Sequence, residues 1–228
     1  MTTPLIIFDC DGVLVDSEPL AAIAYERVYN KHGLALKREI VGQCIGMKQA
    51  DIITRIEELT GFAFPAHADG DIWLETKALL EEELQPTRGI VPFLSNLKTL
   101  RCVASSSSME RIELSLGVSG IADFFGDDVF STSMVKNGKP APDIFLFAAE
   151  KLGGAPASSV VIEDSPFGVQ GAVAAGMTAI GFTGGSHTFD GHGEKLSGAG
   201  AHAVCASWDE VEAELRQRGF IADAVAGA

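Results

Sequence analysis

Two aspartates stand two residues apart in Phe8-Asp9-Cys10-Asp11-Gly12-Val13-Leu14-Val15-Asp16-Ser17, directly after the apolar run Leu5-Ile6-Ile7-Phe8. Four short apolar residues predict a buried strand, so Asp9 and Asp11 come just past its C-terminal end. In open parallel sheets that edge is where ligands bind. Where the chain stays extended, residues two apart face one side. Paired carboxylates attract a divalent cation, which relieves their repulsion, and one of them can attack an electrophile. A plain Asp-x-Asp-Gly turn is the competing reading. A calcium loop is excluded, because Val13, Leu14 and Val15 fill the positions where further oxygen ligands belong.

Three other stretches carry complementary groups. The apolar run Cys102-Val103-Ala104 delivers Ser105, followed by Ser106-Ser107-Ser108 and a helix from about Met109. Free amides at that helix start suit an anion such as phosphate. Ser107-Ser108-Met109-Glu110 reads as a capping box, with Ser107 capping and Glu110 reaching back. Ser105 fits a ligand contact and a simple turn equally well. In Gly138-Lys139-Pro140-Ala141-Pro142-Asp143, an isolated lysine would normally be a solvated charge. Here two prolines fix the backbone around it and hold its ammonium in one place. The run Val160-Val161-Ile162 ends in Glu163-Asp164, and Ser165-Pro166 then opens a helix. Two acids at the end of a central strand exceed what helix-dipole complementarity requires, which favours metal binding. Carboxylates, a lysine and a serine together suit Mg2+-assisted phosphoryl transfer.

These groups need a scaffold of alternating strands and helices. Strands are expected at Leu5–Phe8, Cys102–Ala104, Val129–Phe130, Val160–Ile162, Thr178–Phe182 and Ala203–Cys205. Helices are expected between them, one of them over Val91–Leu100. That order predicts an α/β fold, a Rossmann-like, largely parallel sheet. One block breaks the alternation. After Ser17-Glu18-Pro19 opens a helix, apolar residues recur at helical spacing through about Gln85, with no strand signal. The predicted division is therefore an α/β core of residues 1–15 and 87–228 with a helical insertion, residues 16–86, over the active edge. An insertion in that position suits a lid. Gly184 to Gly200, rich in Gly, Ser and His, reads as a long loop.

The 228 residues carry a net charge of −14. Nucleic acid and anionic membrane surfaces call for basic patches, so neither is an expected partner. An anionic substrate needs a local cation in so acidic a chain. Cys10, Cys44, Cys102 and Cys205 form no Cys-x-x-Cys pair, which argues against zinc. No leader-like segment or apolar span of about 20 residues is evident, so the expectation is a soluble, cytoplasmic chain.

Taken in order, the run from Asp9 to Glu18, Ser105, Lys139 in Lys-Pro-Ala-Pro-Asp, and Glu163-Asp164-Ser165 resemble the four motifs of the haloacid dehalogenase-like (HAD) hydrolases. The helical insertion resembles the cap of the subfamily that includes β-phosphoglucomutase and phosphoglycolate phosphatase. The resemblance implies Asp9 as nucleophile, forming an aspartyl-phosphate, and Asp11 as general acid and then base. It implies Mg2+ held by Asp9, the Asp11 carbonyl and Asp164, with Glu163 as ligand or support. Ser105 would bond the transferring phosphoryl group and Lys139 would neutralise it. Asp11 also separates phosphate esters from haloacids, because an alkoxide needs a proton to leave and a halide does not. The mutases of this subfamily carry a cap histidine and a cap arginine; here the first helix reads Leu20-Ala21-Ala22-Ile23 and the cap loop Gly46-Met47-Lys48. Lys48 is a candidate substrate contact, though a turn with a solvated lysine fits as well. The expectation is an Mg2+-dependent phosphatase for a small, sugar-like phosphorylated metabolite. A phosphosugar mutase is the alternative, and a non-catalytic binding protein on the same fold is a third.

Overall fold

Leu5–Phe8 (β1) is buried along its whole length because it lies at the middle of the sheet. The computed structural model describes residues 3–44, 47, 49–65 and 68–222. In chain order the elements after β1 are α1 (Glu18–Lys31), α2 (Arg38–Val41), α3 (Gln49–Thr60), α4 (Asp69–Glu83) and α5 (Ile90–Asn96). Then come β2 (Leu100–Ser105), α6 (Met109–Val118), β3 (Val129–Ser131), α7 (Asp143–Lys151), β4 (Ser159–Glu163) and α8 (Pro166–Ala174). The chain closes with β5 (Thr178–Phe182), α9 (His192–Gly198), β6 (Ala203–Cys205) and α10 (Trp208–Gln217).

The six strands are parallel in the order β3-β2-β1-β4-β5-β6. The chain builds outward from β1 on one side and then on the other, so β1 and β4 flank the switch point where such sheets bind ligands. Register brings the motifs level. Phe8 pairs with Val103 on β2 and with Ile162 on β4, so the residues that follow in each strand emerge together. The Asp9 amide extends the ladder, donating to the Ile162 carbonyl at 3.0 Å.

Period-two alternation sends the strand side chains into two apolar layers. Ile6 and Phe8 pack with Phe93, Phe125 and Trp208; Leu5 and Ile7 pack with Phe145, Ala148 and Val169 on the other face. The helical block from α1 to α4 holds a third cluster around Tyr25, Tyr29, Ile56 and Ile72. Among the described residues, no helix is long and apolar enough to cross a membrane.

Three sequence expectations need correction. The helix expected over Val91–Leu100 is Ile90–Asn96, and Leu100 already begins β2; apolar residues at a helix–strand junction satisfy both patterns. The segment read as a loop from Gly184 to Gly200 contains α9, whose Leu196 is fully buried against the second layer. Helix starts at Ser17 and at Ser107-Ser108 also differ in the role of each serine, as described below.

The chain leaves the core and returns along one narrow path. The Asp16 amide donates to Gln85 O, and the Thr87 amide to Leu14 O, both at 3.0 Å. Thr87 is the pin. Its Oγ1 donates to Val13 O at 2.6 Å and accepts from the Trp208 indole Nε1 at 3.0 Å. A Thr87→Val substitution keeps the shape but leaves a buried carbonyl and a buried indole N–H unpaired. It should lower unfolding free energy by about 1–3 kcal/mol, read as a shifted midpoint in urea; an unchanged midpoint would show that the pin contributes nothing.

Candidate active site

Asp9 emerges at the end of β1 with little exposed surface, 6%. Its Oδ1 accepts from Lys139 Nζ at 2.5 Å. Lys139 reaches in from the β3–α7 connection and also donates to Glu163 Oε1 at 2.5 Å and to Ala104 O at 2.9 Å. The ammonium thus bridges the ends of β1, β2 and β4. Burial works against its charge, but Asp9 and Glu163 outweigh burial and raise its pKa. Burial raises the Asp9 carboxyl well above its ordinary value; Lys139 opposes that shift, while Glu163, Asp164 and Asp11 add to it.

Glu163 and Asp164 follow on β4. Glu163 Oε2 accepts from the Ser165 amide and hydroxyl, and Ser165 Oγ caps α8 by accepting from the Gly168 amide. Gly168 is required for this: a Cβ there would lie 1.9 Å from Glu163 Cδ. One oxygen from each of Asp9, Glu163 and Asp164 fits within a 4.8 Å span, and all three residues are buried. Asp164 Oδ2 is buried without a hydrogen-bond donor among the described residues. His187 Nε2 lies 2.9 Å from it, in ion-pair range but off the hydrogen-bond direction. Gly12, at φ +74°, lets Asp164 and the His187 ring pack against the backbone, where a Cβ would lie 2.1 Å from Asp164 Oδ2 and 2.8 Å from His187 Cε1. A hard divalent cation fits that donor set, which is oxygen-only and carries more negative charge than Lys139 offsets.

Asp11 has a separate environment. Its Oδ1 accepts from Ser17 Oγ at 2.5 Å and from Arg111 Nη2 at 2.7 Å, and its Oδ2 from Ser107 Oγ at 2.6 Å. Burial alone would raise its pKa; Arg111 and the two hydroxyls more than reverse that and lower it. The two aspartates, two residues apart, are therefore shifted in opposite directions. Glu18, facing the same cavity, is pushed up to about 7 by burial and by the charges of Asp11 and Asp164.

The predicted residues thus converge. Asp9, Asp11, Ser105, Lys139 and Ser165 line one small cavity between the sheet edge and the helical block, with Glu163 and Asp164 beside it. Ser105 Oγ accepts from the Ser107 amide at 3.1 Å, a turn contact. The Asp11 carboxylate stands apart from the Asp9, Glu163 and Asp164 cluster. Lys48 lies outside the described residues. The capping box is corrected: Ser108, not Ser107, caps α6, accepting from the Arg111 amide, and Glu110 points to Lys77. Ser17 makes no side-chain capping bond to α1. Both serines turn to Asp11 instead. Arg111, Glu18 and His187 were not foreseen. Arg111 and Glu18 read as ordinary residues at helix starts and His187 as one residue of the β5–α9 connection; only the charge deficit of an acidic site pointed toward a further cation.

Residues 3–176 match the family model of the haloacid dehalogenase-like hydrolases. The chain is similar to the fructose-1-phosphate phosphatase of Escherichia coli strain K12, 32% identical over 77% of this chain and 94% of that protein. It is also similar to the 6-phosphogluconate phosphatase of the same organism, 28% identical over 80% of this chain and 83% of the other. Among solved structures, a conserved haloacid dehalogenase-like protein of unknown function from Agrobacterium tumefaciens superposes with a TM-score of 0.84. It is 36% identical, covering 95% of this chain and 99% of its own. On these matches, and with its parallel sheet and acidic strand ends, the chain belongs to the haloacid dehalogenase-like hydrolases.

Proposed function

We propose that this chain is an Mg2+-dependent phosphatase that hydrolyses a small, sugar-like phosphate monoester through an aspartyl-phosphate at Asp9. The observation that carries the reading is the Lys139 bridge. It holds one Asp9 oxygen at 2.5 Å in a buried acidic cluster, while Asp11 is held separately two residues away. Relatives named for fructose 1-phosphate and 6-phosphogluconate support a phosphorylated sugar as the substrate class. Residues 16–86 serve as the cap over this centre and residues 1–15 and 87–228 as the core. The two adjacent crossings at Asp16 and Thr87 support that division.

In this reading Asp9 attacks phosphorus and Lys139 offsets charge on the phosphoryl oxygens, with Ser105 at the same cavity wall. Asp9, Glu163 and Asp164 are the side chains that would hold the metal. The bound cation would supply Lewis-acid stabilisation of the phosphoryl oxygens. Asp11 donates its proton to the departing alkoxide and then takes one from the water that attacks the intermediate. The arrangement described here, with three donors on Asp11, holds the carboxylate form. That form suits the second step; the first step requires these contacts to loosen. A mutase would retain the phosphoryl group for return to a sugar. The absence of a cap histidine in Leu20-Ala21-Ala22-Ile23 favours hydrolysis.

Three outcomes are expected. Phosphate release from p-nitrophenyl phosphate should require Mg2+ and be abolished in Asp9→Asn; undiminished release by that variant would remove the nucleophile assignment. Asp11→Asn should slow alkyl phosphates by roughly 100-fold or more. It should slow p-nitrophenyl phosphate much less, since p-nitrophenolate leaves without a proton; equal losses on both would rule out the acid role.

Metal should also stabilise the fold. At a hundredfold excess over Kd the gain is about 2.7 kcal/mol, roughly 5–10 °C in Tm for a chain of this size. The folded pKa of Asp9 is raised, so folding favours its protonated form. That contribution is present in acid and lost as pH rises through the folded pKa, where a cation takes the proton's place. The Mg2+-induced rise in Tm should therefore grow from pH 5 to pH 8 and shrink in Asp164→Asn. A pH-independent shift, or one unchanged in that variant, would place the metal elsewhere.

A further inference from the structure

Arg111 is poised to do more than hold Asp11. It and Lys139 are the cationic side chains among the described residues that line the two adjoining cavities. Lys139 is committed to three acceptors: two carboxylates and a carbonyl. The guanidinium of Arg111 is not used up. Nη2 meets Asp11, while Nε is buried with no hydrogen-bond partner. A buried, unpaired donor on a charged group is costly to leave in place, and the space beside it can supply a partner.

That space is a cavity of about 400 Å³ between α6, the end of β3 and the helical block, within the roughly 300–1,000 Å³ of small-molecule sites. It adjoins the cavity lined by Asp9 and Lys139, and Arg111 and Ser107 belong to both. Its walls are divided by chemistry. Ile72 and Trp73 supply apolar surface from the helical block. Thr76 and Thr132 supply hydroxyls whose protons go to backbone carbonyls, leaving their oxygens as acceptors for a polyol, whereas Ser131 Oγ already accepts from Ser133. Arg111 supplies the planar fork that suits a carboxylate or phosphate.

We propose that Arg111 is a specificity-determining residue that binds a second anionic group on the substrate, remote from the phosphoryl group at Asp9. The preferred substrates are then doubly anionic: a sugar-acid phosphate or a sugar bisphosphate. This rests on the phosphatase reading above.

Two matched pairs of substrates test this: 6-phosphogluconate against sorbitol 6-phosphate, and fructose 1,6-bisphosphate against fructose 1-phosphate. Initial rates of phosphate release are measured with Mg2+ for the native chain, Arg111→Gln and Arg111→Lys. The native chain should prefer the acidic member of at least one pair. The pair that shows the preference identifies the second anion as carboxylate or phosphate. Arg111→Gln should lower that acidic-to-neutral ratio of kcat/KM by roughly 10- to 100-fold, mainly through KM, and Arg111→Lys should recover part of it. A purely structural role through Asp11 would lower both members alike, mainly in kcat, and leave the ratio unchanged; that result overturns the proposal. So does a native chain that handles neutral members as well as acidic ones, an outcome that leaves the phosphatase reading standing. Turnover of p-nitrophenyl phosphate with release from none of the four overturns this proposal alone; no release from p-nitrophenyl phosphate either would bring down the phosphatase reading, and this proposal with it.

Discussion

Everything at the active edge depends on one electrostatic problem: carboxylates from two neighbouring strands are buried within a few ångströms of one another. Asp9, Glu163 and Asp164 are each almost inaccessible to water. Burial and mutual repulsion both favour protonation. Lys139 is the protein's own partial answer, a single ammonium shared by Asp9 and Glu163. It cannot reach every oxygen, and Asp164 Oδ2 is left without a hydrogen bond. Three buried carboxylates around one permanent cation, with His187 the nearest further partner of Asp164, are poorly suited to stabilising the fold and well suited to binding a metal and a phosphoryl group. The surrounding apolar layers, Phe8 with Phe93 and Trp208 on one face and Ile7 with Phe145 on the other, hold the strand ends against that repulsion.

The same edge treats its two aspartates differently because they leave β1 in different directions. Asp9 still takes part in the sheet ladder through its amide. Asp11 lies past it, in a turn closed by the Gly12 amide donating to Val15 O at 2.8 Å. There it meets Ser17 at the start of the helical block and Ser107 and Arg111 beside α6. One carboxylate thus belongs to the end of the sheet, and the other stands where the sheet edge, the helical block and the cavity meet. On the proposed reading this is a division between attack, which needs a fixed group, and proton transfer, which needs one whose surroundings change during turnover.

Much of this was legible in the chain itself, for physical reasons that can be named. An apolar run that stops at an acid marks a strand end, and β1 and β4 each do so. Parallel pairing then makes their ends neighbours without any knowledge of side-chain contacts. Lys139 stood out because Pro140 and Pro142 follow it and fix the backbone, and it does reach the cluster. The serines were harder. Ser17 and Ser107 occupy positions where a hydroxyl normally caps a helix, and a local role is the simpler inference when the distant partner is invisible. Arg111 is the sharper case: on α6 it reads as one more helix residue, and only the fold shows that it faces an aspartate 100 positions earlier. The segment containing α9 failed for another reason. Its glycines and histidines suggest a loop by composition, whereas two buried residues, His192 and Leu196, seat a short helix.

The central claim is that the phosphoryl group passes through Asp9, and trapping that bond tests it most directly. Rapid acid quench during turnover, followed by borohydride reduction and peptide mass spectrometry, converts an aspartyl-phosphate into homoserine at the residue that carried it. The expected result is homoserine at position 9, in step with the burst of released alcohol. Homoserine at another carboxylate, or an intact Asp9 after a stoichiometric burst, would contradict it.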